Sequence, residues 1–173
     1  MWKKLSSKVI FKHPRITLIE DEVMISSGKI TRYLKFEDGR AATLICKRRN
    51  KILLQKEYSY PPNRILLEFP GGSISIKKDA NKEANRELME ETNLKANNLE
   101  LLGKYLMNNR RSNTLMYVYL VTELVEESLS GDDEEVTEQI WVTENEIDDL
   151  IRKGKFENSY SLAAWSLYKV HKH

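Results

Sequence analysis

The fold of this chain is decided by residues 68–94, which read EFPGGSISIKKDANKEANRELMEETNL. A Pro-Gly-Gly turn is followed, from Asp79 to Thr92, by a stretch with neither glycine nor proline. Asp is a favoured N-cap residue, and most of the residues after it are strong helix formers. We therefore predict a helix that begins after Asp79 and ends at about Thr92.

Glutamates crowd one side of this predicted helix, at Glu83, Glu87, Glu90 and Glu91. At about 100° per residue they share roughly a third of the circumference, where like charges repel each other by a few tenths of a kcal/mol per pair. The apolar stripe consists of Ala80, Ala84 and Leu88, and the side chains of Glu87 and Glu91 point toward it. A carboxylate near the core needs a cation beside it, because burying an unpaired charge is costly.

Arg86 is placed to pair with Glu90 at i, i+4 spacing, but one guanidinium cannot neutralise four carboxylates. A hard divalent cation can, because Mg²⁺ prefers carboxylate, carbonyl and water oxygens as ligands. The glycines before the helix allow a close approach of the backbone and expose a carbonyl as a further ligand. The alternative interpretation is a solvated acidic face on a surface helix.

From Gly72 to Leu94 the sequence resembles the Nudix box, Gly-x5-Glu-x7-Arg-Glu-U-x-Glu-Glu-x-Gly-U, where U is aliphatic. Its core, RELMEE at residues 86–91, fits without a gap. Lys78 stands where the box has its first Glu, and Asn93 where it has its last Gly. Asn93 is the milder change, since Asn tolerates the left-handed conformation of a helix C-cap. Lys78 removes a negative charge.

The resemblance implies an α/β (α+β) fold of the Nudix type, with a mixed sheet sandwiched between helices and a small N-terminal antiparallel β layer. It implies metal ligation by Glu87, Glu90, Glu91 and the Gly71 carbonyl. Mg²⁺ is the expected ion, with Mn²⁺ as the alternative. The resemblance also gives Arg86 and Glu90 catalytic roles, with Arg86 orienting a glutamate.

Two stretches before the box, YSYP at residues 58–61 and LEFPGG at residues 67–72, resemble the ADP-ribose and nucleotide-sugar pyrophosphatase branch. This likeness implies metal-dependent hydrolysis of a diphosphate linkage in a small-molecule nucleoside diphosphate derivative, giving a nucleoside monophosphate and a phosphorylated product. It also implies a homodimer formed through the N-terminal β layer. One alternative, favoured by Lys78, is a non-catalytic nucleotide-binding regulatory module, and another is an enzyme acting on nucleoside triphosphates.

Substrate contacts are expected at Lys56, Tyr58, Glu68, Arg110 and Arg111. The two arginines belong to a polar loop whose guanidinium and amide groups suit phosphate and sugar recognition.

The resemblance further implies a carboxylate general base in a loop before the last strand. Asp133, Glu134 and Glu135 lie at that place, and our choice among them is Glu135.

The chain is organised as β-type runs around the central helix. Residues 16–20, 22–26 and 30–36 are short runs, whereas the runs from residue 41 onward are more apolar and more typical of a buried sheet. We predict an N-terminal β layer of residues 1–40 and a Nudix domain of residues 41–173. Thr143 opens a capping box before a second helix, and a third helix begins near Ser159.

Composition limits the classes of partner. The 173 residues carry 28 Lys and Arg against 26 Asp and Glu, a balance that predicts neither nucleic-acid nor membrane binding. No apolar run approaches the roughly 20 residues that span a bilayer, and we predict no export signal. The lone cysteine, Cys46, lies in an apolar run, which favours a small buried hydrophobe and a reducing cytoplasm.

Overall fold

The computed structural model describes residues 1–37, 39–127 and 136–171. Its helices are α1 (Ala80–Thr92), α2 (Glu144–Arg152) and α3 (Ser159–His171). Its strands are β1 (Lys3–His13), β2 (Ile16–Met24), β3 (Ile30–Phe36), β4 (Arg40–Arg48), β5 (Lys51–Ser59), β6 (Arg64–Glu68), β7 (Gly71–Ile74), β8 (Leu94–Ala96), β9 (Glu100–Leu106), β10 (Leu115–Val121), β11 (Leu124–Glu126) and β12 (Val136–Thr143). Two compact units result: Met1–Gly39 with Leu106–Leu115, and Arg40–Tyr105 with Met116–His173.

The first unit contains the antiparallel sheet β1-β2-β3. All eleven residues of β1 are exposed, so the strand shows none of the alternation that marks a half-buried strand. Residues 107–114, the loop between β9 and β10, are tied to β3 by two hydrogen bonds. The Tyr33 hydroxyl donates to the Arg110 carbonyl over 2.6 Å, and the Phe36 amide donates to the Arg111 carbonyl over 2.7 Å.

The two predicted runs at residues 16–20 and 22–26 merge into one continuous strand, β2, which ends at Met24. Asp21, which separates them in the sequence, is 7% exposed and accepts a hydrogen bond from the Ser7 hydroxyl over 2.5 Å. A charged residue continues the strand because its carboxylate finds this partner on β1.

The second unit is built on a seven-stranded sheet in the order β12-β5-β4-β10-β9, with β6 paired to β5 and β7 to β4. Its centre is fully buried, as expected from the apolar runs of β4 and β5, at Leu44, Ile45, Cys46, Ile52, Leu53 and Leu54. Helix α1 contacts β4, β7 and β8, while α3 contacts β4 and α2 contacts β12. The sheet is therefore flanked by helices that cover its buried strands.

Helix α2 begins with the predicted capping box, in which the Thr143 hydroxyl accepts from the Glu146 amide and the Glu146 carboxylate accepts from the Thr143 amide. Helix α3 begins at Ser159, as predicted. Its sequence places Tyr160, Ala163, Ala164 and Leu167 on one apolar face, but its buried residues are Ser161, Ala164, Trp165 and Tyr168.

The polar tips of those α3 residues explain this difference. The Ser161 hydroxyl accepts from the Phe69 amide over 2.9 Å, and the Trp165 indole donates to Asp148 over 2.8 Å. The Tyr168 hydroxyl donates to Glu144 over 2.8 Å. Each of these three polar side-chain atoms has a partner, so the helix turns these residues toward the sheet.

Cys46 is fully buried in β4, as expected, and burial raises the pKa of its thiol. Among the described helices, none combines the length and apolar character that a membrane crossing requires.

Candidate active site

Helix α1 has both of its predicted ends. Asp79 is the N-cap, and its side chain accepts from the Lys82 amide over 2.9 Å. Asn93 is the C-cap in the left-handed conformation, with φ 57°, and its amide donates to the Met89 carbonyl over 3.1 Å. These caps fix where the helix starts and stops, and with it the direction of every glutamate it carries.

Arg86 lies at the centre of the acidic face. Its guanidinium forms hydrogen-bonded ion pairs with Glu87 and Glu90, and its Nη2 lies 3.5 Å from Glu83 Oε2. The Glu87 side chain is 15% exposed, and burial raises its pKa although Arg86 opposes the shift. One guanidinium thus contacts three carboxylates. Its contact with Glu90 is the one that the i, i+4 spacing predicted.

Glu91 is held by backbone. Its Oε2 accepts a hydrogen bond from the Gly71 amide over 3.0 Å. Burial raises the pKa of Glu91 to about 8, and the negative charges of Glu57 and Glu87 add to the shift, while the Gly71 amide and the Gln55 side chain oppose it. Among the described residues, no lysine, arginine or histidine forms an ion pair with Glu91.

The two glycines of the turn are required by close approaches. Strand β7 pairs with β4 so that Gly71 lies opposite Thr43. A Cβ on Gly71 would collide with the Ala42 carbonyl and would lie 3.0 Å from the Thr43 Cα. A Cβ on Gly72 would lie 2.8 Å from the Glu87 Cδ. Glycine therefore lets β7 fit between β4 and the glutamates of α1.

A second pair of carboxylates lies behind Glu91. Burial raises the pKa of Glu68 to about 9, and a hydrogen bond with Glu57 and the charges of Glu57 and Glu91 add to the shift. The Asn158 side-chain amide donates to Glu68 and opposes it. Carboxyl groups are therefore concentrated beyond the helix, on β5 and β6.

Lys78 contacts the acidic face directly. Its Nζ lies 3.1 Å from Glu83 Oε1, and this contact is the main cause of a lowered Glu83 pKa. Arg40 holds the loop before α1, because its Nη2 donates to the carbonyls of Ser75 over 2.8 Å and Lys78 over 3.1 Å, and also to Ile76.

The other predicted residues are distributed as follows. Lys56 pairs with Glu138 over 2.6 Å, and the Tyr58 hydroxyl donates to Asn63 over 2.7 Å. Arg110 and Arg111 belong to the first unit, whereas Lys56, Tyr58 and Glu68 belong to the second. Their roles in substrate binding stay predictions. The candidate general bases Asp133, Glu134 and Glu135 lie outside the described residues.

Three residues of the site were not predicted, namely Gln55, Glu57 and Asn158. A sequence signal was present for Gln55, because it directly follows the apolar residues 52–54. In the structure Gln55 is buried, with 1% of its surface exposed. Its Nε2 has no hydrogen-bond partner among the described residues, although its side chain lies near enough to Glu91 to oppose the rise in the pKa of that carboxyl. Nothing local points to Asn158, which reaches Glu68 only through the packing of the folded chain.

The donor set at Glu87, Glu90 and Glu91 fits a hard divalent cation. Its oxygens are carboxylates, and burial raises the pKa of both Glu87 and Glu91, so that a cation bound there would favour their ionised form. In the side-chain conformations of this structure, no group of three His, Cys, Asp or Glu residues in the described part of the chain is arranged to hold a metal ion. A cation would compete with Arg86 for Glu87 and Glu90.

Comparison with known proteins adds independent information. Residues 37–165 match the model of the NUDIX domain. The ADP-ribose pyrophosphatase of Bacillus subtilis is 28% identical over 144 residues, covering 82% of this chain and 78% of the relative. The methanol dehydrogenase activator of Bacillus methanolicus is 24% identical over 165 residues, covering 94% and 89%.

A solved structure described as an ADP compounds hydrolase superposes with a TM-score of 0.88 at 23% identity, covering 98% of this chain and 92% of that one. This superposition confirms the expected fold class, a mixed α and β fold that contains a sheet flanked by helices and also a small antiparallel sheet.

Proposed function

Because the chain belongs to the Nudix family, we propose that it hydrolyses the diphosphate linkage of ADP-ribose or a nucleotide sugar to a nucleoside monophosphate and a phosphorylated product. The expected enzyme class, a Nudix pyrophosphohydrolase, is confirmed by the family match and by the relative named ADP-ribose pyrophosphatase. The substrate class is supported by the relative named ADP-ribose pyrophosphatase. The observation that carries the proposal is the set of carboxylates on α1 with a single shared guanidinium.

We propose Mg²⁺, or Mn²⁺ in its place, as the cofactor, held by Glu87, Glu90, Glu91 and the Gly71 carbonyl. A divalent cation bound there supplies electrostatic stabilisation of the charge that develops on the phosphate oxygens. The Gly71 amide keeps the Glu91 carboxylate in place before any ligand arrives. Arg86 orients Glu87 and Glu90 by pairing with both. A carboxylate among Asp133, Glu134 and Glu135, by preference Glu135, accepts the proton of the attacking water.

The test uses purified protein, Mg²⁺ or Mn²⁺, and a panel of ADP-ribose, nucleotide sugars and nucleoside triphosphates. We expect nucleoside monophosphate from the first two classes only when metal is present. Glu91→Gln should lower turnover roughly 100-fold or more, since loss of a metal ligand removes several kcal/mol of transition-state stabilisation. Glu126→Gln, at an exposed position on β11, is the matched control. Undiminished turnover by Glu91→Gln would reject the proposal.

A second function is favoured by one relative. The methanol dehydrogenase activator of Bacillus methanolicus matches 94% of this chain, and Lys78 departs from the box. These observations support a nucleotide-binding module that regulates a partner. Tight binding of a nucleotide in the presence of EDTA, with no turnover of any substrate, would favour this function over hydrolysis.

We propose a homodimer formed through the β1-β2-β3 sheet. Large apolar side chains are exposed in this unit, among them Trp2 at 57%, Val9 at 57% and Phe11 at 54%. Exposed apolar surface of this kind is typical of a protein interface. Sedimentation velocity should give a dimer for the native chain and a monomer for Val9→Lys/Phe11→Lys; a native monomer would reject the proposal.

We also propose the division into an N-terminal β layer of residues 1–40 and a Nudix domain of residues 41–173. The compact unit that contains Met1–Gly39 supports this boundary. A cytoplasmic location is proposed as well, supported by a single buried cysteine.

A further inference from the structure

Glu83 has a side chain that is only 9% exposed, because two cationic side chains lie against it. Each of its oxygens faces a different cation. Oε1 lies 3.1 Å from Lys78 Nζ, and Oε2 lies 3.5 Å from Arg86 Nη2. Glu83 therefore links the loop before α1 to the arginine that pairs with Glu87 and Glu90.

Lys78 is fixed at both of its ends. Its carbonyl accepts from Arg40 Nη2 over 3.1 Å, and its ammonium group pairs with Glu83. The neighbouring carbonyl of Ser75 accepts from the same Arg40 nitrogen over 2.8 Å. The backbone that carries Lys78 is thus held in place, and its side chain is directed to the helix.

The Nudix box has a carboxylate at position 78 and this chain has a lysine. If Lys78 were merely a lost negative charge, Glu83 would have the Ser75 backbone and a single cation, Arg86, beside it, and Arg86 already serves Glu87 and Glu90. A buried carboxylate is stable only when it is well paired. Lys78 provides the additional positive charge that lets a third carboxylate sit at this arginine.

We propose that Glu83 is a positioning residue for Arg86, supplying from within α1 the carboxylate that the box places at position 78, with Lys78 as its counter-ion. This inference rests on the proposed hydrolysis. Compared with the box, the carboxylate is then at position 83 and no longer at position 78, where a lysine pairs with it. This exchange preserves the orientation of Arg86. Glu83 acts through Arg86 and does not itself contact the substrate.

The test compares Lys78→Glu, Glu83→Ala and Lys78→Glu/Glu83→Ala with the native chain, at saturating metal and substrate so that kcat is read apart from KM. Lys78→Glu, which restores the residue of the box, should lower kcat, because two carboxylates then face each other. Glu83→Ala should lower it too. We expect losses of roughly 10- to 100-fold, the range typical of residues that orient ligands. The double variant should recover most of kcat.

Lys77→Glu is the matched control, because it makes the same charge change at an exposed neighbouring position. It should leave kcat unchanged. Titration of Mn²⁺ alone, followed by electron paramagnetic resonance, gives a readout besides activity: affinity should fall in both single variants and return in the double variant. Urea unfolding of all four chains measures the coupling between positions 78 and 83.

The outcomes separate this inference from the proposed function. A rise of kcat in Lys78→Glu, or a double variant no better than the worse single variant, would overturn the exchange of charges. If the native chain hydrolyses nothing in the panel, the proposed function fails, and the unfolding cycle decides the pairing. Coupling between positions 78 and 83 would then support the pair, and additive changes would overturn it.

Discussion

The Gly71 amide and the Glu91 carboxylate are joined by a hydrogen bond of 3.0 Å that connects β7 to the last turn of α1. The position of this carboxylate is consequently set by main-chain geometry, which in turn depends on the pairing of β7 with β4. Side chains that act at a reaction centre are most effective when their supports are rigid. Changes in the backbone of β7 should therefore reach the acidic face.

Alanine at each of the two glycines should produce different defects. In Gly71→Ala the new Cβ meets the Ala42 carbonyl and the Thr43 Cα, which are backbone atoms and cannot yield cheaply. We expect a loss of about 1–3 kcal/mol in the free energy of unfolding, as for overpacked sites. In Gly72→Ala the Cβ meets the Glu87 carboxylate, so turnover should fall while stability changes less.

Urea unfolding and steady-state turnover distinguish these two effects. Gly39→Ala is the control, since its nearest neighbour would be the Thr114 hydroxyl oxygen at an ordinary 3.5 Å. Equal stability losses in Gly71→Ala and Gly39→Ala would contradict the close approach at β7.

The helix C-cap should prefer glycine to alanine. Asn93 has φ 57°, a conformation that costs an ordinary L-residue roughly 1–2 kcal/mol. Asn93→Gly should therefore leave stability unchanged or raise it slightly, whereas Asn93→Ala should lower it by about 1 kcal/mol. Thermal unfolding of the pair checks this order. If the alanine variant were the more stable of the two, the left-handed cap would be refuted.

Stability of the metal-free protein should fall as pH rises, in part through Glu68. Burial raises the pKa of this carboxyl from 4.5 to about 9, so the folded chain keeps a proton there that the unfolded chain has released. The stabilisation is fully present below about pH 4.5 and is lost as pH rises through about 9.

Glu68→Gln removes this titration and retains a carbonyl oxygen for Asn158. The free energy of unfolding, measured with urea in EDTA between pH 5 and 9, should therefore decline less steeply with pH in the variant. The two slopes should differ by the contribution of roughly one titrating proton. Parallel curves for the two proteins would show that Glu68 titrates normally.

Arg40 should contribute to the stability of the loop that leads into α1. Its guanidinium serves the carbonyls of Ser75, Ile76 and Lys78. Arg40→Met removes these donors and should cost about 1–3 kcal/mol, the range for hydrogen bonds that involve a charged group. Urea unfolding checks the size of the effect. Arg15→Met, at an exposed position, is the control. An equal change in the free energy of unfolding of both variants would argue against stabilisation by the Arg40 hydrogen bonds.

Local signals were enough to predict the central helix. Asp79 and Asn93 act through their own backbone neighbours, so the sequence specifies both ends of α1. Spacing along one helix likewise predicted that Arg86 would reach Glu90. Such features depend on residues within a few positions of each other, and these are read directly from the chain.

Features that depend on tertiary packing were not predictable in this way. Glu57 joins Glu68 because β5 and β6 pair, and Asn158 joins them because of where the segment before α3 packs. The buried face of α3 differs from its apolar face and could not be predicted from hydrophobicity, which ranks Tyr160 above Ser161. Strand β1 gave no periodic signal because each of its residues faces solvent.

Because Cys46 is buried, its reaction with a thiol reagent can report when the folded protein opens. The sequence holds one thiol, and that thiol is fully enclosed in β4 at the centre of the larger sheet. A thiol-specific dye can label the chain only during excursions that expose β4. The labelling rate would therefore count those excursions, and it would show without any engineered probe whether metal or nucleotide slows them.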